Sequence, residues 1–533
     1  MAAWKAAALA AASVFVLAPA LAGKAAAERT LRMAVGAQVT SLDPHYHNIS
    51  PNNAFAGMVF DNLVEMDATS HPRPSLALSW RPVAEDVWEI KLRPGVVFSN
   101  GSPFTADDVA FTFARIPTVQ NSPGSFVTYI QWVRGVEVVD ALTLRLRTDG
   151  PFPLVAANLS AVPILDRETH AGMSAEDVNS AKGAVGTGPF RVVSSRPGER
   201  IDLQRNDTYW GERPAWDRVE YRMVTNDAAR TAALLAGDVD FIDQVPTGDI
   251  AKLRRDPRVR ITEADSLRLM FLVLDQQRGV SPFVAGIDGK PLDRNPLQDG
   301  RVRRALSMAI DRPAIVSRVM EGAATATAQF MPPGTYGYAT DVAVRPADPD
   351  GARRLLADAG YPEGFRLTLH GSNDRYLNDV RIVQAIGQMW SRVGVRTSVE
   401  VAPYASFITR ASRQEFSAHM ASWGSSTGEP LVGMRSTVAT FDRARGTGSV
   451  NRSRYSNPAL DEALAAAARE MDDGKREAML QGVARSMADD TSIIPLHVQK
   501  NTWAARQGFA HEPRADERSR AQDVRPAASE VRQ

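Results

Sequence analysis

The sequence predicts an α/β protein of more than one lobe, with one lobe wound around a mainly parallel sheet. Three observations carry this. The chain has 533 residues, more than one hydrophobic core organises, so two or three packed lobes are expected. Hydrophobic residues make up 44% and charged residues 23%, the proportions of a chain that folds along most of its length. From about residue 348 to 480 helical and strand patterns alternate, and such alternation builds parallel sheets.

The elements follow in order. Lys5 precedes an apolar run from Ala6 to Ala22, and small residues stand at Ala20-Leu21-Ala22 and at Ala25-Ala26-Ala27. This is the layout of a secretory signal, expected over residues 1–27. Pro19 interrupts the run, and no later stretch approaches the ~18 consecutive apolar residues of a membrane span. Removing the segment takes two positive charges, Lys5 and Lys24, from a net +1 and leaves −1. A balanced charge without a basic stripe argues against a nucleic-acid partner. There is no cysteine, so an exported protein of this size relies on its core and not on disulfides. A cysteine-linked lipid anchor is excluded for the same reason. The expected location is the periplasm.

Leu31–Val35 reads as a buried strand, followed by a loop with Pro44 and the cluster His45-Tyr46-His47-Asn48. Trp88–Leu92 alternates with period two and ends at the turn Pro94-Gly95. Thr105 caps a helix with Asp107 and Asp108 in its first turn, where the helix dipole favours acids. Val136–Val139 and Leu142–Leu146 form a hairpin. Residues 278–300, rich in Gly, Pro and Asp, read as a surface insertion. Asp348-Pro349 starts a helix that stops at Gly360. Phe365–Leu369 is a strand, Val380–Arg392 a helix, Val395–Val401 and Phe416–Trp423 strands. Asn457-Pro458 opens a further helix with Leu460, Leu464 and Met471 near one face. From about residue 510 the chain is polar and Arg-rich, and its last ~20 residues read as an arm or as disordered.

A set of short motifs identifies the chain more closely. Gly186-Thr187-Gly188-Pro189-Phe190 precedes a strand. Arg205-Asn206-Asp207, Tyr209-Trp210 and Leu235-Ala236-Gly237-Asp238-Val239-Asp240 follow. Then come Val302-Arg303-Arg304-Ala305-Leu306, Ala309-Ile310-Asp311-Arg312, Ala359-Gly360-Tyr361 and Tyr455-Ser456-Asn457-Pro458. In this order and spacing the set resembles the extracellular solute-binding proteins of family 5, the peptide, oligopeptide and nickel receptors of ABC importers. The resemblance runs from about Leu31 to about Pro526.

The resemblance implies a two-lobed periplasmic-binding-protein fold with an extra subdomain in the first lobe and a ligand cleft between the lobes. The first lobe is expected over 28–268, with the subdomain at about 55–185. The second lobe is expected over 269–490, and 491–533 is expected to return to the first lobe and end in a polar arm. The implied function is capture of a short peptide or peptide-like solute and its delivery to membrane permease subunits served by separate ATPase subunits. The chain is expected to be a monomer and no enzyme, with no cofactor and no metal. The alternatives are another solute, namely an oligosaccharide, an opine-like conjugate or chelated nickel, and an exported serine hydrolase.

Gly424-Ser425-Ser426-Thr427-Gly428 raises the hydrolase alternative, because it matches the G-x-S-x-G nucleophile elbow. The match is short and made of small residues, so it carries little by itself. Pro430, Leu431 and Val432 follow it without a clear helix, and no His-Gly-Gly stands upstream for an oxyanion hole. A triad would need Ser426, an acid such as Asp461, and His497. The same loop leaves the carboxyl end of a strand, where open α/β sheets bind ligands. In the peptide-binding branch that loop follows a Trp and carries an acid for the ligand ammonium. Here the Trp is Trp423, and the acid is Glu429 in place of the usual Asp.

Asn373, Arg375 and Tyr376 follow another strand end, and the resemblance implies an Arg in that region for the ligand carboxylate. Arg375 suits the task because a guanidinium donates two parallel hydrogen bonds. The alternative for Arg375 is an ion pair with Asp379. Tyr46, His47 and Asn48 are expected to line the first-lobe wall. The spacing of His45 and His47 is compatible with a metal, but no third ligand is identifiable, and metal sites need three or four. Trp80, Trp88, Trp210 and Trp216 read as packing residues.

Overall fold

The computed structural model describes residues 28–425 and 427–527. The expected signal segment and Ser426 therefore lie outside the described residues. One long sheet of twelve strands spans the protein. In its first half Thr30–Val35 pairs in parallel with Arg218–Met223 and with Phe241–Ile242. The antiparallel strands Arg200–Arg205 and Phe190–Arg196 extend this half. In the second half Phe365–Ser372 lies in parallel between Val395–Ala402 and Ala418–Gly424. The helices Pro349–Asp358 and Asp379–Arg392 alternate with these strands, as the sequence predicts.

Two strands join the halves. Val259–Leu274 pairs with Ala418–Gly424 in the second half, and Ile494–Arg506 pairs with Phe241–Ile242 in the first. They run antiparallel to one another, and their register shifts between Asp265 and Leu269 and again between Met270 and Phe271. Such bulges break the ladder and bend the strands, here where the chain passes between the lobes.

The lobes have separate cores. Phe365, Ile382, Ile386 and Trp390 are buried in the second lobe, and Leu31, Phe55, Phe190 and Tyr221 in the first. A four-stranded antiparallel sheet, ordered Ala77–Ala84, Val87–Leu92, Thr143–Thr148, Val133–Asp140, stands apart from the long sheet. With the helix Ala106–Arg115 it encloses its own core around Phe98, Phe126 and Leu144. This is the subdomain. Thr105 and Asp108 form the expected capping box at its helix. Trp88 and Trp216 are buried packing residues, and the partly buried Trp80 and Trp210 pack on the subdomain core.

Three expectations change. Residues 278–300 do not loop freely: Leu297 is fully buried, and Val284–Ala285 pairs with the strand Phe365–Ser372. The cause is a run of polar anchors, since the Ser281 hydroxyl donates to Asp275 and the Asn295 amide donates to the Asp275 carbonyl. Met471 lies beyond the helix Pro458–Ala467 and packs on the subdomain core. Residues 510–527 are docked on the first lobe, with Phe509–His511 paired to Val524–Pro526. Composition misleads there because Arg514, Arg520 and Asp523 are buried, with Arg514 paired to Asp516 and Arg520 to Asp523.

Asn457 shows how local chemistry sets a boundary. Its carboxamide oxygen accepts from the amides of Ala459 and Leu460, and its nitrogen donates to Asp490 at 2.7 Å. Replacing Asn457 by alanine is expected to lower stability by about 1–2 kcal/mol, read as the shift of a urea unfolding curve. No helix among the described residues is long and apolar enough to cross a membrane.

Candidate functional site

A cavity of about 370 Å³ opens between the lobes where the two joining strands cross. Its first-lobe wall is the segment Asp243–Thr247, with Ser50 and Pro51 at the start of the helix Ser50–Val59. Its floor is Arg268 and Gln499–Trp503, from the joining strands. Arg375 and Leu377 close it from the second lobe, and Glu517 and Ser519 from the C-terminal segment.

The charges of this cavity are arranged in two groups. Arg375 and Lys500 form no ion pair among the described residues, so their charges are available to a solute. The loop that presents Arg375 is held by Asp379. That carboxylate accepts from the Ser372 hydroxyl at 2.8 Å and from the backbone amides of Arg375 and Tyr376. Asp379 therefore engages the backbone at residue 375 and leaves the guanidinium free, stacked over the rings of Tyr376 and Tyr404 at 5.4 and 5.6 Å. Arg268 is partly neutralised by Glu517 at 3.5 Å. On the acidic side, Asp243 accepts from the Gly36 amide at 2.7 Å and from the Ser519 hydroxyl at 3.2 Å. Burial pushes its carboxyl up to about 6.

Of the residues expected from sequence, Arg375 alone is in the cavity wall among those described. Tyr376 stands behind it, half-buried and edge-on to Tyr404 at 5.9 Å, with its phenol pushed up by burial. Asn373 is exposed, and its amide donates to the Ala402 carbonyl. Tyr46, His47 and Asn48 lie just before the helix whose first residues line the cavity. The Tyr46 carbonyl accepts from the Ser122 hydroxyl at 2.6 Å. His47 Nδ1 stands 3.0 Å from the Thr40 hydroxyl. Asn48 donates to the Tyr129 hydroxyl at 3.2 Å. His45 points elsewhere, into a buried pair of Asp43 and Arg115. No cluster of three metal-ligating side chains occurs among the described residues.

The loop after Trp423 is built differently from its expected use. The Trp423 indole packs against Gly433, where a Cβ would stand 2.5 Å from Nε1. Gly428 has φ +72° and abuts Ser70 of the first lobe, so its missing side chain permits contact between the lobes. Glu429 caps the helix Pro430–Thr437, a helix that the sequence reading did not expect. Its second oxygen accepts from Arg476 at 2.7 Å, and the pair is buried at 7% exposure on each side. The Glu429 carboxylate is thus directed to Arg476 and not to the cavity.

The residues of the serine-triad alternative are also committed elsewhere. Asp461 accepts from the Thr440 amide at 2.8 Å. His497 is fully buried in the strand Ile494–Arg506, and neither ring nitrogen has a hydrogen-bond partner among the described residues. A triad needs an acid bonded to the base, and among the described residues no acid meets His497.

Asp243, Lys500, Arg268 and Glu517 escaped the sequence reading. Asp243 left one legible trace, an acid directly after the short apolar strand Phe241–Ile242. The others lie in or near the joining strands, whose crossing no local pattern announces.

Comparisons with known proteins show the family and the fold. The family described as bacterial extracellular solute-binding proteins, family 5 Middle, matches residues 71–444. Heme-binding protein A of Haemophilus influenzae is 28% identical over 444 residues, covering 77% of this chain and 76% of the relative. Glutathione-binding protein GsiB of Shigella dysenteriae is 26% identical over 494 residues, covering 90% and 91%. The solved structure of HbpA2 from Haemophilus parasuis superposes with a TM-score of 0.81 at 24% identity, over 94% of this chain and all of that one.

Proposed function

This chain belongs to the bacterial extracellular solute-binding proteins of family 5, and on that premise we propose that it captures a short peptide or peptide-like solute in the periplasm and delivers it to the permease of an ABC importer. The observation that carries the reading is the charge layout of the interlobe cavity. Arg375 and Lys500 stand without carboxylate partners among the described residues, while Asp243 and Glu517 supply acids in the same cavity. A peptide carries a carboxylate and an ammonium, and this cavity offers a counterpart to each. A volume of about 370 Å³ lies at the small end of the range for ligand sites, which suits a solute of few residues. The curated relatives are named for heme and glutathione, both of which carry carboxylates.

The two joining strands supply the mechanism. A solute held by Arg375 on one lobe and Asp243 on the other binds the closed arrangement better than the open one. Its binding therefore shifts the lobes toward closure by that difference in affinity. Closure then forms the surface that a permease recognises.

A thermal-shift screen of the protein against dipeptides, tripeptides, glutathione, oligosaccharides and Ni²⁺ tests the reading. A specific ligand at 100 times its Kd is expected to stabilise the fold by about 2.7 kcal/mol. A shift with an oligosaccharide and none with any peptide contradicts it. For a peptide that binds, Arg375→Ala is expected to weaken affinity by roughly 10- to 100-fold, the worth of a charge-assisted hydrogen bond, with unfolding unchanged.

A further inference from the structure

Away from the cavity, the second lobe touches the first lobe and its subdomain through a turn and two side chains. The turn, residues 67–71, joins the paired strands Val64–Met66 and Pro72–Pro74. Its tip Ser70 meets Gly428 of the second lobe, and both have left-handed backbones, at φ +66° and +72°. A Cβ at Gly428 would stand 2.7 Å from the Ser70 Cβ, so glycine is what lets the two segments approach so closely. The two side chains are reciprocal. Leu154 of the subdomain packs on a second-lobe cluster around Leu431, Leu464 and Leu480. Met471, between the second-lobe helices Pro458–Ala467 and Asp473–Asp490, packs on the subdomain core. None of Ser70, Gly428, Leu154 and Met471 lines the cavity.

The turn is held in shape and tied to the crossing of the joining strands. Asp67 Oδ1 accepts from the amides of Thr69 and His71 at 3.0 and 2.9 Å, and Oδ2 from Arg73 at 2.9 Å. The Arg514 guanidinium donates to the Met66 carbonyl at 2.7 Å, and the Ala515 amide to the Ala68 carbonyl at 2.9 Å. The Ala515 carbonyl in turn accepts from the Leu267 amide at 3.2 Å. Leu267 lies between Asp265 and Leu269, where the joining strands lose register. Its amide is therefore taken by the segment that also holds the turn.

We propose that Ser70 on Gly428, together with Leu154 and Met471, forms a latch that favours the closed arrangement of the lobes even before a solute binds. Leu154 and Met471 keep their apolar contact out of water only while the lobes are together. Apparent Kd is the intrinsic Kd divided by the fraction of molecules in the binding-competent state. A latch that raises the closed fraction therefore tightens binding without touching the solute. The proposal rests on the lobe-closure part of the receptor reading and not on the identity of the solute.

The test has two parts. The first uses no ligand and measures the radius of gyration by small-angle X-ray scattering in native buffer. The parent protein is expected to match the closed structure. The double variant Leu154→Ser, Met471→Ser is expected to have a larger radius, and so is Gly428→Ala by itself. A parent that is already open, or a radius unchanged in both variants, overturns the latch. A lowered urea midpoint at unchanged radius assigns these residues to fold stability and also overturns it. The second part titrates a peptide that binds in the thermal-shift screen. The double variant is expected to bind it roughly 10-fold more weakly, as follows when the closed fraction falls to about a tenth. A larger radius with unchanged affinity overturns the link between latch and binding. Failure of every peptide to bind overturns the peptide reading, and the scattering then decides the latch by itself.

Discussion

Lowering the pH from 7.5 to 5 is expected to remove about 5 kcal/mol of folding stability, because four buried imidazoles outweigh two buried carboxyls. Burial, aided by the Arg115 charge, lowers His45 to about 4. Burial lowers His497 and His511 to about 4, and lowers His419 to about 3 with help from Arg452. A group whose pKa is lower in the folded state binds its proton more readily when unfolded. These four contributions are complete above the ordinary value of 6.5 and are lost as the pH falls toward 4. Asp61 and Asp243 act in the opposite sense. Burial raises both to about 6, so their contribution is complete below about pH 4 and is lost as the pH rises through 6. At pH 5 each imidazole costs about 2 kcal/mol and each carboxyl returns about 1.4 kcal/mol, so the imidazoles decide the sign. Urea midpoints measured at pH 7.5, 6 and 5 should fall in that order. A flat or rising series would show that the carboxyls dominate. His497 has no partner for either ring nitrogen among the described residues. His497→Leu should therefore be tolerated at pH 7.5 and reduce the pH slope by about two fifths, about 2 of the net 5 kcal/mol.

Replacing Glu429 by alanine is expected to cost about 3–5 kcal/mol, the loss that follows when one member of a buried ion pair is removed. Arg476 would keep its charge at 7% side-chain exposure, with the exposed Asp473 as its other carboxylate partner. The helix Pro430–Thr437 would also lose its cap, since Glu429 accepts from the Leu431 amide at 3.1 Å. Glu429→Gln keeps the cap and should cost less. The affinity for any peptide that binds should change by less than about twofold in both variants, because the carboxylate faces Arg476. Denaturation and titration of the same two proteins separate the possibilities. Lost affinity at full stability would assign Glu429 to the solute after all.

Much of the fold is legible from local signals. Thr105 with Asp108, Asp348 with Pro349, and Asn457 with Pro458 each mark a helix start at the place where the helix begins. These signals are readable because a cap satisfies amides two or three residues away, within reach of any local pattern. The strand Val259–Leu274 shows the limit. Its sixteen residues serve both lobes, and the period-two alternation that starts at Val259 lasts only to Thr262 before Glu263 breaks it. The C-terminal segment shows a second limit. Arg514, Arg520 and Asp523 look like a solvated arm in one dimension and are buried in three.

The sequence by itself determined the family, the run of strands and helices from Pro349 to Ala402 in the second lobe, and the candidacy of Arg375. Each depends on residues that act within a few positions of one another. Tertiary structure alone decided which charges remain for a solute. Glu429 and Arg375 look equally available in sequence, yet Arg476, 47 residues further on, takes the carboxylate of Glu429. Asp379 instead spends its oxygens on the Ser372 hydroxyl and backbone amides and leaves the Arg375 guanidinium free. The physical reason is that a charged side chain is defined by its partner, and in a folded chain the partner is chosen by the packing.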